Sequence, residues 1–151
     1  MRALFPFVCL LFSGCALFFT EGETQIGVIP RDAGSNAVVR TVLRRDARAI
    51  RFDCAAPTPG FRTDDKVTVT LRNTSTSRTI SLQTPGAFAD VPPRTSALLY
   101  EGSLSTLLGG RQLSVSSWSG RASCELLIQF SPPPTLPAPI RVLCSYSSPP
   151  L

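Results

Sequence analysis

Histidine is absent from the sequence, and methionine, tryptophan and lysine occur once each. The absence of histidine removes the commonest general base near neutral pH and the commonest metal ligand. It excludes Ser-His-Asp and Cys-His hydrolases and zinc sites built on imidazole. A hydrolase that uses a pair of carboxylates stays open. As a metal site, the adjacent Asp64 and Asp65 lack the alternating acidic ligands of a calcium loop. We therefore expect a protein that is not an enzyme and that has no metal or other cofactor.

An apolar stretch follows Arg2 and leads into Phe12-Ser13-Gly14-Cys15. A short basic start, an apolar run and small residues before a cysteine resemble the lipobox of bacterial lipoprotein precursors. The resemblance implies a signal peptide over residues 1–14 and a lipid on the thiol of Cys15, which becomes the new N-terminus. The membrane is then a partner of the protein through this lipid.

Two other interpretations of the same segment stay open. An ordinary secretory signal over residues 1–22 would be cleaved near Thr20-Glu21-Gly22. An uncleaved membrane anchor would need an apolar run of roughly 20 residues, which this stretch hardly reaches. All three interpretations predict export, either to a bacterial cell envelope as a lipid-anchored protein or, for the second, as a secreted protein.

Alternation of apolar and polar residues recurs along the chain and is typical of half-buried strands. It is regular in Lys66–Arg72 and returns in Thr79–Thr84, with turn-forming side chains over Asn73–Ser77 between them. We expect a hairpin here, in which Leu71 faces Ile80.

Further strands are predicted over Gln112–Trp118 and Ser123–Phe130. Between Ser103 and Gly109-Gly110 the leucines form either a single helical turn, capped by that serine and ended by the glycines, or a packed loop. The predicted fold is all-β, a small antiparallel β-sandwich of immunoglobulin-like architecture with six or seven strands after a cleaved signal peptide.

The predicted sandwich covers residues 49–146. It follows a basic segment near the anchor, residues 15–48, and precedes a Pro/Ser-rich tail, residues 147–151. Residues Val69–Ser77, which lead towards Val91-Pro92-Pro93, are similar to the generic β-sandwich modules of secreted bacterial proteins. This resemblance implies a fold and no activity.

Three cysteines follow Cys15, and an exported protein can oxidise them. If Ser123–Phe130 and Ala138–Ser145 form a hairpin, Cys124 faces Cys144 on its apolar face. Directly opposed residues have Cα atoms about 4.5 Å apart, which a disulfide accepts, so we predict a Cys124–Cys144 disulfide. Cys54 is the alternative partner of either cysteine, and simple burial of the thiols is the remaining alternative.

Arginine is concentrated between Arg31 and Arg51, where six arginines stand against two aspartates. Asn36 could cap a helix on which every fourth residue is an arginine on one face. We expect contact with anionic lipid headgroups or acidic glycans, or else a solvated face. A nucleic acid is not an expected partner because no aromatic residues interleave. The residues expected to make the anionic contact are Arg40, Arg44, Arg45, Arg48 and Arg51.

Asn73-Thr74-Ser75 fits the N-glycosylation acceptor pattern and lies on the predicted exposed turn. The sequence as a whole favours a non-enzymatic cell-envelope lipoprotein with a binding or structural role at the membrane surface, and with a protein or an acidic glycan as a possible partner. The alternative is a secreted eukaryotic or viral glycoprotein whose immunoglobulin-like domain binds a host protein, with a glycan on Asn73.

Overall fold

Strands account for most of the chain in the computed structural model, which describes residues 22–44, 46–54, 65–84, 87–117 and 121–147. Within these residues there are ten strands and one short helix. In chain order they are β1 (Glu23–Ile29), β2 (Asn36–Leu43), β3 (Ala47–Cys54), β4 (Lys66–Asn73), β5 (Ile80–Thr84), β6 (Ala87–Val91), β7 (Ser96–Ser103), α1 (Leu104–Leu108), β8 (Leu113–Ser117), β9 (Ala122–Ser131) and β10 (Ile140–Tyr146).

The strands form two antiparallel sheets packed face to face. The six-stranded sheet has the order β1-β10-β3-β8-β5-β6, and the four-stranded sheet has the order β2-β9-β4-β7. The predicted all-β antiparallel sandwich is therefore confirmed. The number of strands was underestimated.

The sandwich begins earlier than the predicted boundary at residue 49. Strands β1 and β2 lie inside the predicted basic segment of residues 15–48, and each forms an edge of one sheet. The expected helix after Asn36 is wrong. Val39 and Leu43 point inward and Arg40 points outward, which is the period of a strand, and β-branched valines suit a pleated surface better than a helix.

The core lies between the sheets and takes alternate residues from each of them. Burying one large aliphatic or aromatic side chain stabilises a fold by about 1.5–3 kcal/mol. Strands β4 and β9 supply core residues from the four-stranded sheet, and strands β3 and β10 supply them from the other. The fully buried ones include Val67, Val69, Leu71, Leu126 and Ile128 on one side, and Ile50, Phe52, Ile140 and Val142 on the other.

Of the two alternatives for the leucines before Gly109, a helical turn or a packed loop, the helical turn is present, as α1. The hydroxyl of Ser103 accepts a hydrogen bond from the backbone N–H of Thr106 at 3.2 Å, which makes the serine the N-cap. Leu104 and Leu107 are buried in the core, so the turn closes one end of the sandwich.

Neither predicted hairpin forms. Strand β4 belongs to the four-stranded sheet and β5 to the six-stranded sheet, so Leu71 and Ile80 are not partners. Strands β9 and β10 are divided between the sheets in the same way. The alternation correctly predicts which side chains face the core. It does not predict the partner, because a connection that crosses between sheets leaves the same pattern as a tight turn.

The two sheets come into close contact at the corner formed by β1 and β2. Gly27 lies at a bulge in β1, and a Cβ atom built there would be 2.3 Å from Cγ1 of Val39 on β2. Two carbon atoms that are not bonded cannot lie so close, so any residue larger than glycine would clash with Val39 at this position.

Candidate functional site

An apolar row crosses the outer face of the four-stranded sheet. Val38 on β2 is in register with Leu127 on β9, Leu127 with Thr70 on β4, and Thr70 with Leu98 on β7. The end residues are the most exposed, with 47% of Val38 and 50% of Leu98 accessible to solvent. We call Val38, Leu127, Thr70 and Leu98 the apolar row, in which Thr70 is the one residue with a polar group.

Polar rows lie on both sides of the apolar row, two residues away along each strand except on β7, where a register shift places Glu101 three residues from Leu98. One contains charged residues, and in it Nε of Arg40 donates to Oε1 of Glu125 at 3.0 Å. The other is mostly uncharged. In strand order the first row is Arg40, Glu125, Arg72 and Ser96, and the second is Asn36, Gln129, Thr68 and Glu101.

On the six-stranded sheet, the outer face of β1, β10 and β3 carries charged residues of alternating sign. Arg51 donates two hydrogen bonds of 2.7 Å to the carboxylate of Glu23, from Nε and Nη2. Asp53 lies 3.9 Å from Nη1 of the same arginine and also pairs with Arg141. The hydrogen bonds from Arg51 lower the pKa of Glu23, and the same bonds raise the pKa of Arg51.

The arginines that were expected to share one anionic contact are separated by the fold. Arg40 lies on the outer face of the four-stranded sheet, and Arg51 lies on the outer face of the six-stranded sheet. The predicted common face depended on a helix that does not form. Arg45 lies outside the described residues, and Arg48 is exposed.

Arg44 has a structural environment of its own. Its Nη2 lies 2.9 Å from Oδ2 of Asp46, and its guanidinium stacks 4.5 Å from the ring centroid of Tyr146. Such a contact stabilises by about 0.5–1 kcal/mol near a surface. The arginine therefore holds the β2–β3 connection against the end of β10.

Cys54, Cys124 and Cys144 are free thiols, so the predicted disulfide is not formed. The hairpin that would have opposed Cys124 and Cys144 is absent: Cys124 is in register with Thr41 and Asn73, and Cys144 with Thr24 and Ile50. Burial raises the pKa of Cys124 to about 12 and that of Cys144 to about 11. Both are therefore protonated near neutral pH and unsuited to nucleophilic attack.

Cys54 is only partly buried. Its Sγ lies 3.8 Å from the backbone oxygen of Ala138, within the range of a weak thiol hydrogen bond. No disulfide joins it to either predicted alternative partner.

Asn73 is fully buried, which contradicts the expected exposed turn and glycosylation site. Both hydrogens of Nδ2 are used, in bonds to the backbone oxygens of Arg78 at 2.6 Å and Val91 at 2.9 Å. Its Oδ1 accepts from the backbone N–H and the hydroxyl of Ser75. A glycan on Nδ2 cannot be accommodated in this fold, because it would replace a hydrogen that donates in the core.

Asn73 instead connects the two sheets. It ends β4 in the four-stranded sheet, and its bond to Val91 reaches the end of β6 in the six-stranded sheet. The sequence correctly marks this segment as turn-forming. It does not show that Asn73 bonds to the backbone oxygens of Arg78 and Val91, because these bonds depend on where the chain crosses between the sheets.

The apolar row itself was missed by sequence reasoning. The continuous apolar pairs Val38-Val39 and Val42-Leu43 were a signal, since a strand with apolar residues on both faces has a second apolar side to cover. Cys15, Trp118 and Asp64 lie outside the described residues.

Among the residues with described positions, no three histidine, cysteine or acidic side chains are grouped as metal ligands would be. No helix in the same part of the chain has the length and hydropathy that a membrane span needs. Comparison with family models, curated proteins and solved structures gives no match.

Proposed function

We propose that the protein is a non-enzymatic component of a bacterial cell envelope that binds another protein through the outer face of its four-stranded sheet. It is exported and held at the membrane by a lipid on Cys15. The exposed apolar row between two polar rows carries this proposal.

Single exposed apolar residues are normal on protein surfaces and need no explanation. Here, however, Val38 and Leu127 adjoin on neighbouring strands, and Leu98 lies in the same row beyond Thr70. At about 4.8 Å per step the four positions make a strip about 14 Å long, which is apolar except for the hydroxyl of Thr70. An apolar centre within a polar rim is typical of a protein–protein interface.

The position of the domain along the chain supports the membrane part of the proposal. Cys15 and Glu23, the first residue of β1, are eight residues apart. Even a fully extended tether of this length spans at most about 28 Å. A lipid on Cys15 would therefore keep the sandwich beside the bilayer. An anionic headgroup or acidic glycan is a weaker candidate partner, because Arg40 and Arg51 lie on opposite faces.

The alternative, a secreted eukaryotic or viral glycoprotein with an immunoglobulin-like domain, loses its main support. The acceptor nitrogen of Asn73 is buried and donates two hydrogen bonds. The immunoglobulin-like resemblance stays a prediction within the shown β-sandwich.

Mass spectrometry of the mature chain, purified from a bacterial host, tests the anchor. We expect an N-terminal Cys15 carrying diacylglycerol, with or without an N-acyl chain, and loss of both processing and lipid in Cys15→Ser. An unmodified N-terminus near Glu23 would overturn the proposed anchor and indicate a secreted protein.

Site-specific photo-crosslinking in intact cells tests the binding surface. A photoreactive residue at Val38 is compared with one at Val28, which lies on the outer face of the six-stranded sheet and is 45% exposed. We expect a discrete crosslinked product from position 38 and none from position 28. Equal products from both positions, or products from neither, would remove the apolar row as a binding site.

A further inference from the structure

The outer face of the four-stranded sheet is complementary to itself. Consider a two-fold axis that runs parallel to the strands, in front of the outer face and midway between β9 and β4. Because the strand order is β2-β9-β4-β7, rotation about this axis places β4 of a second copy over β9 and β7 of that copy over β2. Two copies related by a two-fold rotation about such an axis would meet with the same rows facing each other. This is the symmetry of an isologous dimer, the commonest protein assembly.

In the charged row, this rotation places Glu125 of one copy opposite Arg72 of the partner subunit, and the reverse pair forms at the same time. The two residues occupy the same register position, since Glu125 is aligned with Arg72 on the neighbouring strand. A carboxylate has two oxygens, so Glu125 can accept from the partner while it pairs with Arg40 of its own chain.

The other rows are also compatible. Val38 faces Leu98 of the partner subunit and Leu127 faces the partner's Thr70, so the apolar rows cover each other. In the second polar row Asn36 faces the partner's Glu101. No two like charges are opposed along the three rows. The positions of these residues follow from strand pairing within one chain, which does not require such a match between two copies.

We infer that the partner of this face is a second copy of the same chain, in a symmetric face-to-face dimer. The inference rests on the proposed function, because it names the occupant of the proposed binding surface. Sheets that pack face to face keep their strands within about 30° of each other, which a two-fold axis nearly parallel to the strands satisfies.

The size of the face predicts a weak dimer. Four strands about 4.8 Å apart and seven residues of about 3.3 Å each give a face of about 19 Å by about 23 Å. Two such faces bury on the order of 1,000 Å² in total, at the low end for a specific interface. Anchoring both copies in one membrane would raise their effective concentration and favour the dimer.

Charge reversal across the interface gives a decisive experiment. In Glu125→Arg, two arginines oppose each other twice in a homodimer, and in Arg72→Glu two glutamates do so. In an equimolar mixture of the two variants, a mixed dimer has both ion pairs restored. Mixing changes nothing within either chain, so recovery of association reports only on the interface.

The mature chain, in detergent when it carries lipid, is followed by sedimentation velocity and by native mass spectrometry, which separates the three dimers by mass. We expect a concentration-dependent dimer for the wild type, at least about tenfold weaker association of each single variant, and mixed dimers dominating the mixture. The double variant Glu125→Arg/Arg72→Glu should regain self-association. Urea unfolding of each variant checks that it is folded.

Two results would overturn the inference. One is a wild type that stays monomeric throughout the micromolar range, and the other is a mixture no more associated than its components. If position 38 still crosslinks to a different protein in cells, the proposed function stands and only the second copy is excluded. If positions 38 and 28 behave alike, the proposed function fails as well.

Discussion

The two outer faces of the sandwich differ in how their exposed side chains are satisfied. On the six-stranded sheet, Glu23, Arg51, Asp53 and Arg141 neutralise one another across three strands. On the four-stranded sheet, an apolar row lies open between polar rows. Among the side chains with described positions, the charges on β1, β10 and β3 pair with one another and Val28 is exposed singly, whereas the four-stranded sheet leaves a row of apolar area that a partner could cover.

This difference shows that the arginine content of a sequence segment does not predict which face of the sandwich leaves apolar area open. The arginine-rich region of the sequence contributes to both faces, and on the six-stranded sheet Arg51 is occupied by Glu23. The exposed apolar residues, which are few, distinguish the faces better.

The largest effect on the free energy of unfolding is expected from Asn73→Ala, which tests whether this residue connects the two sheets whose outer faces are compared. The substitution removes the hydrogen bonds between the end of β4 and the backbone oxygens of Arg78 and Val91. Leaving buried acceptors without donors costs about 1–3 kcal/mol each. We expect the free energy of unfolding in urea to fall by about 3 kcal/mol, and the exposed neighbour in Thr74→Ala to change it by under about 0.5 kcal/mol. Similar losses in both variants would show that Asn73 does not connect the sheets.

The next effect separates the faces through their ion pairs. The side chain of Arg51 is 24% exposed and makes two bonds to Glu23, whereas that of Arg40 is 78% exposed and makes one to Glu125. Paired geometry and partial burial strengthen an ion pair, and exposure weakens it. Arg51→Ala should lower the free energy of unfolding by about 1 kcal/mol and Arg40→Ala by about 0.3 kcal/mol. Equal costs would contradict the proposed contrast between the faces.

A smaller effect depends on pH and concerns the six-stranded face alone. The pKa of Glu23 is lower in the folded protein than its ordinary value of 4.5, mainly because of the hydrogen bonds from Arg51. The stability from this group is therefore present above about pH 4.5 and is lost as the pH falls through the lower folded value. Glu23→Gln should be less stable than the wild type at pH 7, by under about 1 kcal/mol, and the difference should shrink in acid. A difference that is constant with pH, in parallel urea titrations, would remove Arg51 as the cause.

The smallest effect on stability is expected where the effect on binding is largest. Val38→Thr and Val28→Thr change similarly exposed valines on the two faces, so each should alter the free energy of unfolding by under about 0.5 kcal/mol. Only Val38→Thr should weaken association measured by sedimentation. A loss of association in Val28→Thr would contradict the proposal, because it would place a binding face on the six-stranded sheet.

The sequence predicts the burial of individual strands well and their pairing poorly. Alternation correctly places Ile50, Phe52 and Leu71 in the core. The cap at Ser103, one of two alternatives in the sequence, was indicated by the serine and the following glycines, which are also local signals. Strand partners depend on where the chain crosses between sheets, and the turn-forming residues after Asn73 are compatible with either a hairpin or a crossing. The apolar pair Val38-Val39 indicates a second apolar side on β2, but the residues that adjoin it across the sheet follow only from the registers of all four strands.

The pairing of the first strands with the last has a consequence for how the chain is made. Strand β2 pairs with β9, from Asn36 with Gln129, and β1 pairs with β10, from Glu23 with Ser145. At about 5–20 residues per second, a ribosome adds the intervening residues over several seconds, during which both N-terminal strands lack their partners. Contacts so distant in sequence also form slowly in the complete chain. The sandwich can therefore close only after its C-terminal third has been synthesised, because β1 and β2 find their partners there. If the chain is exported as proposed, this order would keep it unfolded while it is being made.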